Sequence, residues 1–87
     1  MAPVLKVSVI SPERVLFDGE ASSLVAPAYD GEVGILPRHA PMLTLLGRGV
    51  LRLEGGVGGE QRFSIDGGFL QVADDEVRIV TERAEPM

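Results

Sequence analysis

The chain carries one histidine, His39, held between Pro37 and Pro41 with Arg38 beside it. A lone imidazole can serve as base, ligand or proton switch, but each role needs partners. Nucleophilic catalysis requires a nucleophile, a base and an orienting acid within mutual reach, and no serine here stands in a nucleophile motif. Zinc requires clustered Cys and His, and the chain has no cysteine and no second histidine. Asp74, Asp75 and Glu76 could weakly attract a divalent cation, although a solvated hairpin turn explains the run more simply. The GGVGG stretch at 55–59 lacks the Lys-Ser/Thr pair that completes a phosphate loop and reads as a flexible hairpin tip. These residues predict no catalytic site, no metal and no cofactor.

What surrounds His39 is more informative than the ring itself. Residues 30–46 read DGEVGILPRHAPMLTLL. Proline fixes φ, removes a donor and pushes the preceding residue toward extended geometry. Residues 36–42 are therefore predicted as a stiff loop, neither helix nor central strand. Its expected apolar anchors are Val33, Ile35 and Leu36 on one side and Met42, Leu43, Leu45 and Leu46 on the other. A rigid loop on apolar anchors is how a small scaffold presents a contact surface. On side-chain chemistry alone, His39 is best explained by its ring capping nearby backbone groups, with a subunit contact as the alternative.

The rest of the chain must position that loop. Its 87 residues suit one domain over 1–87, and the absence of cysteine leaves the fold without disulfides. Apolar residues make up 45%, but the aromatics are only Phe17, Phe63, Phe69 and Tyr29. Three of these are expected on core faces, and Val, Leu and Ile must fill the remainder. Thirteen acids against eight bases give a net charge of −5, the wrong sign for a phosphate-backbone binder, so no nucleic acid is expected. The amino terminus has Lys6 but no long apolar run, and residues 42–46 are far too short to span a bilayer. A soluble, cytosolic domain without direct bilayer insertion is expected.

In order, the chain reads as short strands punctuated by turns. Residues 4–10 alternate Leu5, Val7 and Val9 against Lys6 and Ser8, ending at Ser11 and Pro12. A second strand is expected over 13–17, with Asp18-Gly19 closing a hairpin into 20–26 and Pro27 ending the third. Asp30-Gly31 turns into the central loop. Residues 50–54 and 60–65 flank the GGVGG tip, Asp66-Gly67-Gly68 turns the chain back into a pairing strand at 69–73, and Asp74-Asp75 turns into 76–82. Pro27, Pro37 and charged residues are expected to blunt the sheet edges. The pattern predicts an all-β protein, an antiparallel sandwich or flattened barrel.

The segments GEVGILPRHAPMLTLL, SPERVLFDGEASSLVAPAYD and FSIDGGFLQVADDEVRIVTERAE together resemble the amino-terminal domain of the epsilon subunit of bacterial F-type ATP synthases, called delta in mitochondria. The likeness runs in order over about residues 4–85. It implies a sandwich of about ten short strands in two sheets. It also implies a non-catalytic rotor subunit that links gamma to the membrane c-ring and couples proton flow to ATP synthesis. The setting implied is peripheral, at the cytoplasmic face of the bacterial inner membrane. By that resemblance Glu32 and His39 match ring-facing positions, while Ser11, Met42 and Thr44 match a gamma-facing edge. Taken alone, Glu32 is a surface charge, Met42 a core filler and Ser11 a strand terminator. Family members usually continue into a pair of carboxy-terminal helices. Residues 83–87 are too few for a helix, and Pro86 opposes one, so a latch that inhibits hydrolysis is not expected from these residues. The isolated chain is expected to be a monomer. A stand-alone β-sandwich module for a sugar or an extended peptide is the alternative from another class.

Overall fold

The computed structural model describes residues 3–56 and 59–87, and among these it forms ten strands and no helix. In chain order they are β1 (Leu5–Ile10), β2 (Val15–Ala21), β3 (Ser23–Ala28), β4 (Gly31–Ile35), β5 (Met42–Leu45), β6 (Arg48–Gly56), β7 (Gly59–Asp66), β8 (Phe69–Ala73), β9 (Glu76–Val80) and β10 (Arg83–Pro86). Sheet one has the order β2-β1-β9-β8-β5 and sheet two the order β10-β7-β6-β3-β4. Neighbours are antiparallel except β1 and β9, which run parallel with Lys6 opposite Glu76 and Ile10 opposite Val80.

The all-β sandwich expected from period-2 alternation is therefore present. The central strands send every second side chain inward, and the inward sets meet in one core. Leu5, Val7 and Val9 of β1 are buried with Val77 and Ile79 of β9 and with Leu51 and Leu53 of β6. Phe17 meets Phe63 edge to face across the sandwich, with ring centroids 6.3 Å apart.

Four local expectations are corrected. Asp18-Gly19 is not a hairpin turn: β2 runs straight through it, with Asp18 opposite Ser8 and Gly19 opposite Val7. The Phe17 ring lies over that position, where a Cβ at Gly19 would approach it to 3.2 Å, a tight contact that glycine avoids. Pro27 neither ends β3 nor caps an edge. It is buried within the strand opposite Glu32, and β3 lies between β4 and β6. Gly67-Gly68 does not fold β8 back onto β7; it carries the chain from sheet two into sheet one. The loop's apolar flanks are buried only in part. Ile35 and Leu46 are buried and Val33 and Met42 pack on the core, whereas Leu36, Leu43 and Leu45 are 63%, 70% and 63% exposed.

The crossings between sheets are stitched at one end. Gly67 N–H donates to Gly47 O at 3.1 Å, and Leu46 N–H donates to Gly68 O at 2.9 Å. Buried Thr81 donates its amide to Ile10 O at 2.9 Å, and its hydroxyl lies 2.9 Å from Gly67 O. Gly68 has φ +108, and a Cβ there would sit 2.0 Å from Val80 O. Only glycine fits this corner.

Candidate interaction surfaces

Two surfaces emerge from this frame. One is the flank along residues 31–45, where the edge strand of sheet two passes through a turn into the edge strand of sheet one. The other is the outer face of sheet one.

The turn at the flank follows from its prolines. Pro37 occupies the second turn position, Arg38 the third with φ 69, and His39 N–H closes the turn onto Leu36 O at 3.2 Å. This is type II geometry, which normally wants glycine in Arg38's place. The Arg38 amide is taken up by Asp75 Oδ1 at 2.5 Å. His39 Nδ1 lies 2.8 Å from Ala40 O. A carbonyl only accepts, so Nδ1 is the donor. The imidazole is therefore tied to local backbone, as its side-chain chemistry suggests, and it is half-buried. Glu32 is exposed in edge strand β4 opposite Pro27. It and His39 share the flank, but β4 continues through Val33, Gly34 and Ile35 between Glu32 and the turn.

Of the remaining site candidates, Ser11 follows β1, where its hydroxyl and Arg14 form a local bend through contacts of 3.2 and 3.3 Å. Met42 and Thr44 lie in β5 opposite Val72 and Leu70, both buried, which puts them on the inward side of that edge strand. Met42 packs against the core and Thr44 is half-buried. The outward positions of β5 belong to Leu43 and Leu45.

Those outward leucines begin a pattern that single-strand reading misses. Leu45 pairs with Phe69, Phe69 with Val80, Val80 with Ile10 and Ile10 with Val15. One apolar row therefore crosses β5, β8, β9 and β1 on the outer side of sheet one, with Ile10 and Val80 half-buried, and exposed Val15 of β2 continues it past a register shift, about 19 Å in all at the usual strand spacing. Leu43 adds to it from the next row, and Leu43, Thr44, Leu45 and Phe69 line a shallow apolar depression of about 340 Å³. Phe69 is thus on an outer face and Tyr29 is exposed too, so two of the four aromatics, Phe17 and Phe63, face the core and not three as expected. The following rows are polar: Asp18, Ser8, Arg78 and Gln71 lead to Leu43, and Glu20, Lys6 and Glu76 lead to Ala73. Ser11 and Thr81 lie just beyond the apolar row, at the stitched end.

Neither surface is built for bond chemistry. Among the described residues no group of three or more His, Cys, Asp or Glu could hold a metal ion. No helix among them is long and apolar enough to cross a membrane. The Asp74-Asp75 turn, with both residues at positive φ, spends Asp75's carboxylate on Arg38. The expected flexible GGVGG tip falls partly outside the described residues, at Val57 and Gly58.

Comparison with known proteins places the chain in a family. The profile described as ATP synthase, Delta/Epsilon chain, beta-sandwich domain matches residues 4–87. The chain is 49% identical over 78 residues to the ATP synthase epsilon chain of Leptospira borgpetersenii, covering 90% of this chain and 61% of that one. It is 46% identical over 83 residues to the epsilon chain of Rhodopirellula baltica, covering 95% and 64%. It thus spans about three fifths of the length of the curated relatives it matches. In structure it is similar to a chain of the Euglena gracilis mitochondrial ATP synthase OSCP/F1/c-ring assembly in rotational state 1. The TM-score is 0.86 at 25% identity, covering 95% of this chain and 53% of that chain. A chain of the Tetrahymena thermophila mitochondrial central stalk/c-ring shares the fold, with TM-score 0.73 at 22% identity over 93% of this chain and 65% of that one.

Proposed function

Since the chain belongs to the ATP synthase delta/epsilon β-sandwich family, we propose that it is a non-catalytic rotor component that joins gamma to the membrane c-ring and so couples proton flow to ATP synthesis. The observation that carries this reading is the apolar row across the outer side of sheet one. Contiguous exposed apolar surface on a small domain marks a contact with another macromolecule, and a long flat row suits the side of an elongated partner better than a small ligand. Gamma is assigned to that face, with Leu43, Leu45 and Phe69 at its β5 end and Ser11, Met42 and Thr44 along its margin. The c-ring is assigned to the flank, with Glu32 and His39 facing the ring's polar loops.

In this reading the domain transmits torque and performs no reaction. It belongs at the cytoplasmic face of a bacterial inner membrane, held there by its partners. Two cross-linked sheets and a proline-braced turn supply the stiffness that torque transmission needs.

The test is reconstitution of the purified chain with gamma-containing catalytic heads and with detergent-solubilised c-ring. Joint binding, and restored proton-driven ATP synthesis in subunit-depleted vesicles, is the expected result. A chain that binds neither component, or that binds only a sugar or an extended peptide, overturns the proposal.

A further inference from the structure

The Arg38 amide reaches across 37 positions of sequence to a single carboxylate. Asp75 Oδ1 accepts from it at 2.5 Å, while the Asp75 carbonyl accepts from Lys6 N–H at 2.8 Å. Asp75 is thus attached through its main chain to β1, the strand second from the edge of sheet one, and through its side chain to the turn over residues 36–41. That turn is otherwise held by its own closing bond and by its two ends, which run into the edge strands β4 and β5. Edge strands are the most easily frayed parts of a sheet. The third position of the turn also holds a left-handed arginine, φ 69, a conformation that L-residues adopt only when something fixes it.

We propose that Asp75 is a positioning residue for the ring-facing turn: its carboxylate locks Arg38 in the left-handed conformation and braces the His39 turn against the interior of sheet one. This deepens the c-ring assignment and rests on it. Sheet one carries the face assigned to gamma, and the brace ties the ring-facing turn directly to that sheet. Load then passes from the turn to the β8–β9 hairpin without relying on the edge strands alone.

The substitutions must respect Asp75's own backbone, which has φ 61. Alanine would be strained there, so Asp75→Gly removes the carboxylate without that strain, and Asp75→Asn keeps an acceptor oxygen on a residue that tolerates the left-handed region. In the isolated domain, Asp75→Gly is expected to speed amide hydrogen exchange at Arg38 and His39 by roughly ten-fold, the scale of one charge-assisted hydrogen bond. Exchange in the core strands stays unchanged. Asp75→Asn retains most of the protection. Adding Arg38→Gly to Asp75→Gly restores much of the turn, because Pro-Gly is the preferred centre of type II geometry. Affinity for isolated c-ring should fall and recover in the same order.

Unchanged exchange at Arg38 and His39 in Asp75→Gly overturns the brace, whatever the turn contacts. Faster exchange with unchanged ring affinity overturns the positioning role. In that case Glu32→Lys and His39→Glu, measured on the same ring, show whether the ring assignment has failed as well: unchanged affinity in both means that it has.

Discussion

The outer faces of the two sheets face solvent on the same small domain, yet one row of each is composed in the opposite way from the other. Across sheet one, Leu45, Phe69, Val80, Ile10 and Val15 line up with no charge among them. Across sheet two, the outward row that begins with Arg83 continues through Asp66 to Arg48, and Arg48 pairs with Asp66 at 3.2 Å. Arg62 pairs with Glu60 on the same strand. Alternation buries the other side of both sheets equally well, so folding alone does not call for the apolar row. The sheet-two row pairs its own charges, Arg48 with Asp66, whereas the apolar row of sheet one has none to pair and is the one that gains from being covered. The contrast separates what the sequence spends on folding from what it spends on assembly.

The largest expected effect probes what the two sheets share. Leu51→Ala in sheet two and Ile79→Ala in sheet one each empty a fully buried site and should cost about 2–5 kcal/mol. A domain this small has little more than that to lose. Urea unfolding should stay a single transition in both variants; separate melting of one sheet would mean that they are independent units.

The next effect falls on sheet one alone. Leu43→Glu and Leu45→Glu combined should weaken binding to gamma by about 30-fold or more, the range of a lost hot spot. Both side chains are largely exposed, so stability should move by less than about 1 kcal/mol. Calorimetric titration against gamma, run beside thermal melts, separates the two effects. Equal binding would show that the apolar row is not the gamma face.

Smaller still is the flank. Glu32→Lys or His39→Glu should lower affinity for the c-ring by a few-fold to about ten-fold, with the difference shrinking at high salt because exposed charges are screened. An unaltered melting temperature is expected in both. A collapse of the fold in His39→Glu would show that the ring's bond to Ala40 O is needed for stability and not for contact.

The smallest belongs to sheet two. Arg48→Ala should change stability by no more than about 0.5 kcal/mol, since the arginine side chain is 82% exposed, and should leave binding to gamma and c-ring untouched. Lost assembly in this variant would erase the distinction between the faces.

Much of the fold was legible because alternation is a local signal. Leu5, Val7 and Val9 show it, as do Phe63 and Ile65, and each turned out to be buried. Asp18-Gly19 was misleading because a turn dipeptide and a strand glycine making room for a neighbouring ring look alike. Nothing near Gly19 in sequence says that Phe17 will lie over it. The apolar row was hidden for a different reason. Its five members come from five strands, and only the register brings them side by side. In β5 the outward leucines are more hydrophobic than the inward Met42 and Thr44, so hydrophobicity alone assigns the wrong side to the core. The stiff turn was readable from Pro37 and Pro41, but its tie to Asp75 was not, because a hydrogen bond between distant positions leaves no trace in local pattern. For Glu32, His39, Ser11, Met42 and Thr44, side-chain chemistry assigns no contact, and the proposed roles rest on family resemblance.

The parallel pairing of β1 with β9 also sets an order in time. Lys6 meets Glu76 about seventy residues further on, and closing a loop of that length costs about 4 kcal/mol of chain entropy before any contact repays it. During synthesis the first strand made must wait for one of the last. Until residues 76–80 appear, β1 has β2 on one side and an open edge on the other, with Leu5, Val7 and Val9 lacking the β9 side chains that pack beside them. An open edge flanked by apolar side chains invites pairing with a second nascent chain. The open side of β1 and the apolar residues beside it are therefore covered only once the ninth strand is in place.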